Sequence, residues 1–286
     1  MSKDKKIPKE YAIVVSLIIF FTIVIFTGGV RIYLITKDRL ARVDLANIDV
    51  IEFDTNIDMA SYNLRIVNSM QEAYAIDIYY GSIPGLESVS ATAVTDDIVI
   101  FNMLRKLNSA LAQYPKNLIR EIESKGYEIS IYLVEQFKTN VEALANRNSI
   151  GQMKIYMSNT ADLERAIHHE LYHILDYYIK LESSESLVYR NWNKYNPDGF
   201  EYVGNIDSIT PEYVYAGLPG AYFVTAYAKY SDKEDRAETF AEMLTASKEE
   251  LFFNEEGAIK GKIEVIKKAL YDNFNSVKLE DKLAWE

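Results

Sequence analysis

The sequence predicts an α+β domain: a small mixed sheet, a helix against it that carries the chemistry, and a mostly helical carboxy-terminal part. A transmembrane helix is expected in front of it. Three observations carry this expectation. Tyr11 to Val30 is a run of twenty residues without a charge. Helical and strand periodicities follow one another between residues 96 and 179. All three histidines of the 286-residue chain fall in one window, His168-His169-Glu170-Leu171-Tyr172-His173.

The uncharged run would span about 30 Å as a helix, the thickness of a bilayer's hydrocarbon core. Lys3, Lys5, Lys6 and Lys9 precede it, as in a signal anchor. The expected organisation is a cytoplasmic tail at 1–10, an anchor at 11–30, a juxtamembrane region at 31–95 and the main domain at 96–286. Arg31, Lys37, Arg39 and Arg42 nearly balance the basic residues across the segment. The short amino-terminal side therefore decides for a single-pass membrane protein with its large domain outside the cell. Cleavage near Thr27-Gly28-Gly29 would instead release a secreted protein. The run is long for a signal peptide, however, and no Ala-x-Ala follows it.

Composition narrows the partners and the chemistry. Hydrophobic residues make up 49% of the chain and charged residues 26%, enough to bury a sizeable core. A net charge of -11 argues against a nucleic-acid partner, because nothing basic offsets phosphate repulsion. The chain has no cysteine, so disulfides and thiolate metal sites are excluded.

Between Thr36 and Thr95 the pattern is mixed. Val50–Phe53 and Ala75–Tyr80 read as short strands, Gly81-Ser82-Ile83-Pro84-Gly85 as a turn, and no chemistry is evident. Ile98, Phe101, Leu104, Leu107 and Leu111 then recur at helical spacing and stop before Pro115. A short helix at Leu118–Ser124 closes at Gly126, and Ile129–Val134 and Met153–Met157 read as strands. The helix from about Ala161 to Ile179 carries the histidines. Strands before such a helix can offer an edge to an extended peptide. Leu181 to Gly220 reads as a long polar and aromatic loop, a length that tends to be functional. Helices resume at Asp232–Ala246 and Ala258–Phe274.

The histidine window contains H-E-x-x-H. At 3.6 residues per turn, His169 and His173 share one helix face and can reach a single cation. Glu170 projects beside it, where a carboxylate can take a proton from a metal-bound water. A catalytic zinc site wants a third protein ligand. With no further histidine or cysteine in the chain, that ligand must be a carboxylate. Glu234, Glu238 and Glu242 recur every four residues in Glu234-Asp235-Arg236-Ala237-Glu238-Thr239-Phe240-Ala241-Glu242. Acidic stripes like this are usually solvated. Here Ala237 and Ala241 beside them suggest close approach to another element. Periodicity alone does not choose between Glu234 and Glu238.

At these residues the chain resembles the catalytic domains of anthrax lethal factor and the Pro-Pro endopeptidases, a gluzincin-like family. The likeness lies in His169-Glu170-Leu171-Tyr172-His173-Ile174-Leu175-Asp176 and in Tyr227, Glu234 and Ala237-Glu238 at the family's spacing. Trp192, Asn196-Pro197 and Gly199-Phe200-Glu201-Tyr202 further resemble a bacterial group of zinc metallopeptidases. The resemblance implies a zincin-like metallopeptidase domain holding one zinc ion on His169, His173 and Glu234, with Glu170 as general base. It also implies that Tyr227 hydrogen-bonds the developing oxyanion, because Tyr227 stands seven residues before Glu234. Glu238 and Asp176 would orient a zinc histidine through its other ring nitrogen. Tyr172 replaces a glycine common in the family. The substrate would be a peptide or protein. The alternative is a membrane-tethered binding domain without catalysis, against which the intact Glu170 speaks.

Overall fold

The structure, a computed structural model, describes residues 45–48, 58–138, 143–147, 152–160, 162–210, 212, 214, 220–246, 256–280 and 283–285. The expected anchor at 11–30 and the strand expected at Val50–Phe53 lie outside the described residues. Among the described residues, no helix is long and apolar enough to cross a membrane.

Helix α1 (Met59–Tyr74) occupies a stretch whose sequence gave no clear period. Its buried stripe mixes Asn63 and Ser69 with Ile66, Val67 and Met70, which blurs the apolar repeat. Asn63 donates its amide to the Asp97 carbonyl at 2.8 Å, which offsets part of the cost of burying it. Ala75 ends the helix in the left-handed region (φ 55). The short strands β1 (Asp77–Tyr79) and β2 (Ala91–Ala93) follow.

Helix α2 (Asp97–Leu111) starts where the Asp96 carboxylate accepts the amides of Ile98 and Val99. It packs on α1. After α3 (Leu118–Glu123) comes the longest strand, β3 (Glu128–Phe137), then β4 (Ala143–Arg147) and β5 (Gln152–Ser158). The sheet runs β1-β3-β5-β4. β1 and β5 lie parallel to β3, β4 is antiparallel to β5, and β2 pairs antiparallel with the far end of β3. The segment 31–95, expected as a separate juxtamembrane region, thus supplies two strands of this sheet within its described part.

Strand alternation sorts the two faces. Ile129, Ile131, Leu133, Met153, Ile155 and Met157 are buried from one side. On the other, Tyr79, Tyr132 and Tyr156 share a register row and stack in sequence at 4.9 and 4.8 Å.

Helix α4 (Leu163–Glu182) packs against β4 and β5 and outlasts its expected end by three residues. Ile167, Leu171, Ile174, Leu175 and Tyr178 form its apolar stripe. The following stretch was expected to be a loop, but it holds a short helix, α5 (Leu187–Arg190), and 3-10 turns at Trp192–Tyr195 and Ile206–Ser208. Two further helices, α6 (Asp232–Thr245) and α7 (Ala258–Asn273), pack together. Between them lies a charge pair, Lys262 to Asp235 at 2.7 Å, both side chains without exposure. Asp235 also accepts from Trp192 Nε1 at 2.9 Å and the Tyr202 hydroxyl at 2.7 Å. The aromatic residues of the long loop are therefore tied to α6 through one carboxylate.

Candidate metal centre

Helices α4 and α6 cross so that their polar faces meet. His169 and His173 stand one turn apart on α4, and Glu234 stands in the first turn of α6. Glu234 Oε2 lies 3.0 Å from His169 Nε2 and 3.3 Å from His173 Nε2, and the two Nε2 atoms are 3.1 Å apart. Bonds of about 2.0–2.1 Å at tetrahedral angles would hold three donors about 3.3 Å apart, so the cluster fits a small tetrahedral cation. Among the described residues this is the one group of three such donors.

The local sequence explains the placement. Ser231 caps α6, its Oγ accepting the Glu234 amide at 3.3 Å. Ser231-x-x-Glu234 has the capping-box spacing, yet the Glu234 carboxylate is turned to the histidines.

Glu238, one turn further, stands behind His169 with Oε1 at 2.7 Å from Nδ1. Its Oε2 accepts from Arg165 Nη2 at 2.8 Å and from the Thr225 hydroxyl at 2.7 Å. With Nδ1–H given to Glu238, Nε2 is the ring nitrogen left to bind a cation. Asp176 does not do the same for either histidine, contrary to the sequence reading. Arg236 donates to both its oxygens at 3.0 and 2.9 Å, and the Tyr189 hydroxyl adds a third contact at 3.0 Å. A carboxylate committed to a buried guanidinium is unavailable to His173. His168 turns away and meets the Tyr114 hydroxyl at 2.8 Å. Tyr172 is fully buried against Phe240 at 4.7 Å between ring centroids.

Glu170 is buried beside the edge strand. Burial raises its pKa, opposed by His169 and His173 and by a hydrogen bond from the Ala145 backbone. Tyr227 sits on a 3-10 turn (Tyr227–Lys229), its ring 6.2 Å from that of His169. Burial, then the charges of Glu234 and Glu170, push its phenol up to about 12, so it remains a donor at neutral pH. Lys229 fastens this turn to the long loop by donating to the Thr210 hydroxyl at 2.8 Å and to the Thr210 carbonyl at 3.0 Å.

Arg165, Thr225 and Arg236 were not assigned roles from sequence. Arg165 lies four residues before His169 on the same helix face, a signal that was legible. Arg236 lay hidden in an acidic stripe, and the contacts of Thr225 exist only in three dimensions.

Two imidazoles from one helix and a carboxylate from a second thus form a group that could hold a metal ion. The chain belongs to the family described as "Putative zinc-binding metallo-peptidase", which matches residues 108–273 and so spans both helices. No curated protein matches significantly. A solved structure described as a "putative zinc-binding metallo-peptidase from Bacteroides caccae" is similar at 20% identity, covering 79% of this chain and 92% of that one, with a TM-score of 0.49.

The site's electrostatics predict how the metal-free protein responds to pH. Burial works against charge on His169, but hydrogen bonds to Glu234 and Glu238 outweigh it and raise the ring to about 10. That stabilisation is full below about 6.5 and is lost as pH climbs towards 10. Burial, reinforced by Arg165, holds His168 down at about 3, so stability is lost as pH falls below about 6.5. Glu234 and Glu238, each drawn down to about 2 despite burial, lose theirs below about 4.5. The urea midpoint of chelator-treated protein should peak near pH 6.5 and fall on both sides. Zinc should flatten the alkaline limb by replacing the proton at His169. A midpoint that rises from pH 7 to 9 without metal would contradict this.

Proposed function

We propose that this protein is a zinc-dependent endopeptidase with one zinc ion on His169, His173 and Glu234. The observation that carries the reading is the convergence of those three donors beside Glu170, in a chain with no other histidine except His168. A zinc ion held by these residues would supply Lewis acidity toward a water and a peptide carbonyl. Glu170 would serve as the general base beside it and would carry the proton to the leaving amine. Burial raises its pKa, which suits a base that must later act as an acid. Tyr227, kept protonated, donates to the carbonyl oxygen as negative charge develops, in keeping with the motif likeness to lethal factor and the Pro-Pro endopeptidases. Glu238 holds His169 in the ligating tautomer. Strand β4 is at the end of the sheet order and donates a backbone hydrogen bond to Glu170, so its edge is where an extended peptide would pair.

Zinc removal should abolish cleavage of a peptide library, and zinc should restore it. Glu170→Gln should keep zinc bound while lowering turnover by about two to four orders of magnitude, the usual range for a lost general base. Wild-type turnover by that variant would refute the mechanism.

The uncharged run Tyr11 to Val30 supports a further part of the reading: a single membrane anchor with the peptidase domain outside the cell. Protease added to intact cells should then degrade the domain. Degradation only after lysis would place the domain inside.

A further inference from the structure

The turn that carries Tyr227 and the histidine that faces the metal vertex are joined through two side chains, Thr225 and Glu238. Thr225 Oγ1 donates to Glu238 Oε2 at 2.7 Å and accepts the Ala228 amide at 3.2 Å. The direction of both bonds follows from chemistry. A backbone amide can only donate, so the hydroxyl accepts from Ala228, and Glu238 Oε2, which also takes the Arg165 guanidinium at 2.8 Å, is the acceptor. The hydroxyl's single proton must go to Glu238, leaving a lone pair for Ala228. On its other oxygen Glu238 faces Nδ1 of His169 at 2.7 Å. An unbroken path therefore runs from the backbone next to Tyr227, through Thr225 and Glu238, to His169.

We infer that Thr225 is a positioning residue that sets the Tyr227 phenol relative to His169, and so aligns the oxyanion donor with the ligands. This rests on the peptidase reading above. The reason one is needed lies in the mounting of the two groups. His169 is mid-helix on α4, packed on all sides, whereas Tyr227 stands on a three-residue turn and is 38% exposed. Its ring is stacked on Tyr230 at 5.8 Å, but Tyr230 follows directly after the same turn and cannot fix it to the helices. Lys229 ties the turn outward, to the long loop at Thr210. Thr225 ties it inward. A shift of about 1 Å in a reacting group can cost a hundredfold in rate, so a tether of this kind acts on turnover. Arg165 holds Glu238 independently of Thr225, at 2.8 Å. Val203 and Gly204 donate to the Lys229 and Tyr230 carbonyls at 3.1 and 3.0 Å and hold the far end of the turn, so removing the threonine hydroxyl should loosen only its Tyr227 end while leaving His169 and the metal in place.

The test uses the full chain with three substitutions, Thr225→Val, Thr225→Ser and Tyr227→Phe. With zinc bound, Thr225→Val should lower kcat by about ten- to a hundredfold, the usual loss on removing an outer hydrogen-bond partner, with KM changed by no more than about twofold. Thr225→Ser, which keeps the hydroxyl, should recover most of that loss. In a Tyr227→Phe background, Thr225→Val should cost little more, because the group it positions has lost its hydroxyl. An undiminished loss in that background would overturn the inference, as would a wild-type kcat for Thr225→Val. A second readout needs neither zinc nor activity: hydrogen exchange at the Ala228 amide. Protection should be lost in Thr225→Val and kept in Thr225→Ser, while the ring nitrogens of His169, resolved among only three histidines, keep their signals. Unchanged Ala228 protection in Thr225→Val would overturn the link itself. A wild-type chain that cleaves no peptide with zinc would instead contradict the peptidase reading, and the exchange result would still decide the link.

Discussion

The ion pair between Arg236 and Asp176 is an expensive thing to bury. Their side chains are 2% and 8% exposed, and taking two charges out of water costs several kcal/mol per ion before any attraction returns it. The pair is tolerable because all three guanidinium nitrogens and both carboxylate oxygens are engaged. The guanidinium grips both carboxylate oxygens, a third nitrogen reaches Asp232 at 2.9 Å, and Tyr189 closes over the carboxylate. The rings of Tyr189 and Trp192 cover the cation at 5.1 and 6.0 Å. Only one placement of α4 against α6 satisfies all of these contacts. Asp176 is three residues from His173 and Arg236 two from Glu234, so the same placement sets the distance between the ligands. At the other end of the crossing Arg165 and Glu238 repeat the arrangement with the charges exchanged between the helices. On α4 the two histidines thus stand between two ionic clamps, Glu234 lies within one turn of both clamp residues on α6, and the aromatic loop residues cover one of the clamps.

Beside the clamps, three lone-pair donors are held about 3 Å apart, which is unfavourable without a positive charge among them. In the metal-free protein a proton on His169 supplies that charge, which is why the ring is held so far above its ordinary range. A divalent cation supplies more of it. Binding a metal there would therefore release that proton from the same place. The two neighbouring carboxylates divide the labour by position alone: Glu234 faces the vertex, and Glu238, with Arg165 and Thr225 on its outer oxygen, orients the ring from behind.

The parts of the site that could be read from sequence are those that depend on helix geometry. His169 and His173 at i and i+4, and Glu234 and Glu238 one turn apart, have their mutual placement fixed by 3.6 residues per turn. Choosing Glu234 over Glu238 needed the spacing to Tyr227, because the stripe repeats itself. Asp176 was misassigned because its partner, Arg236, comes from another helix, and no local rule pairs residues sixty positions apart. Strands whose apolar residues run on or alternate, such as Ile129–Val134 and Met153–Met157, were visible. The strand β4, Ala-Leu-Ala-Asn-Arg, has no β-branched or aromatic residue and takes its conformation from pairing with β5. Helix α1 was missed because its buried face contains polar residues whose partners, Asp97 and Asn108, lie on α2. The long loop was recognised as unusual, but its tether to Asp235 could not be foreseen.

The crossing of α4 and α6 is tested most directly by anomalous diffraction at the zinc edge from crystals of the zinc-loaded protein. One peak is expected, about 2.0–2.2 Å from His169 Nε2, His173 Nε2 and a Glu234 carboxylate oxygen, with Glu238 still bonded to Nδ1 of His169. A peak coordinated by Glu238 in place of Glu234, or one lying away from the two histidines, would contradict the clamped geometry and the roles drawn from it.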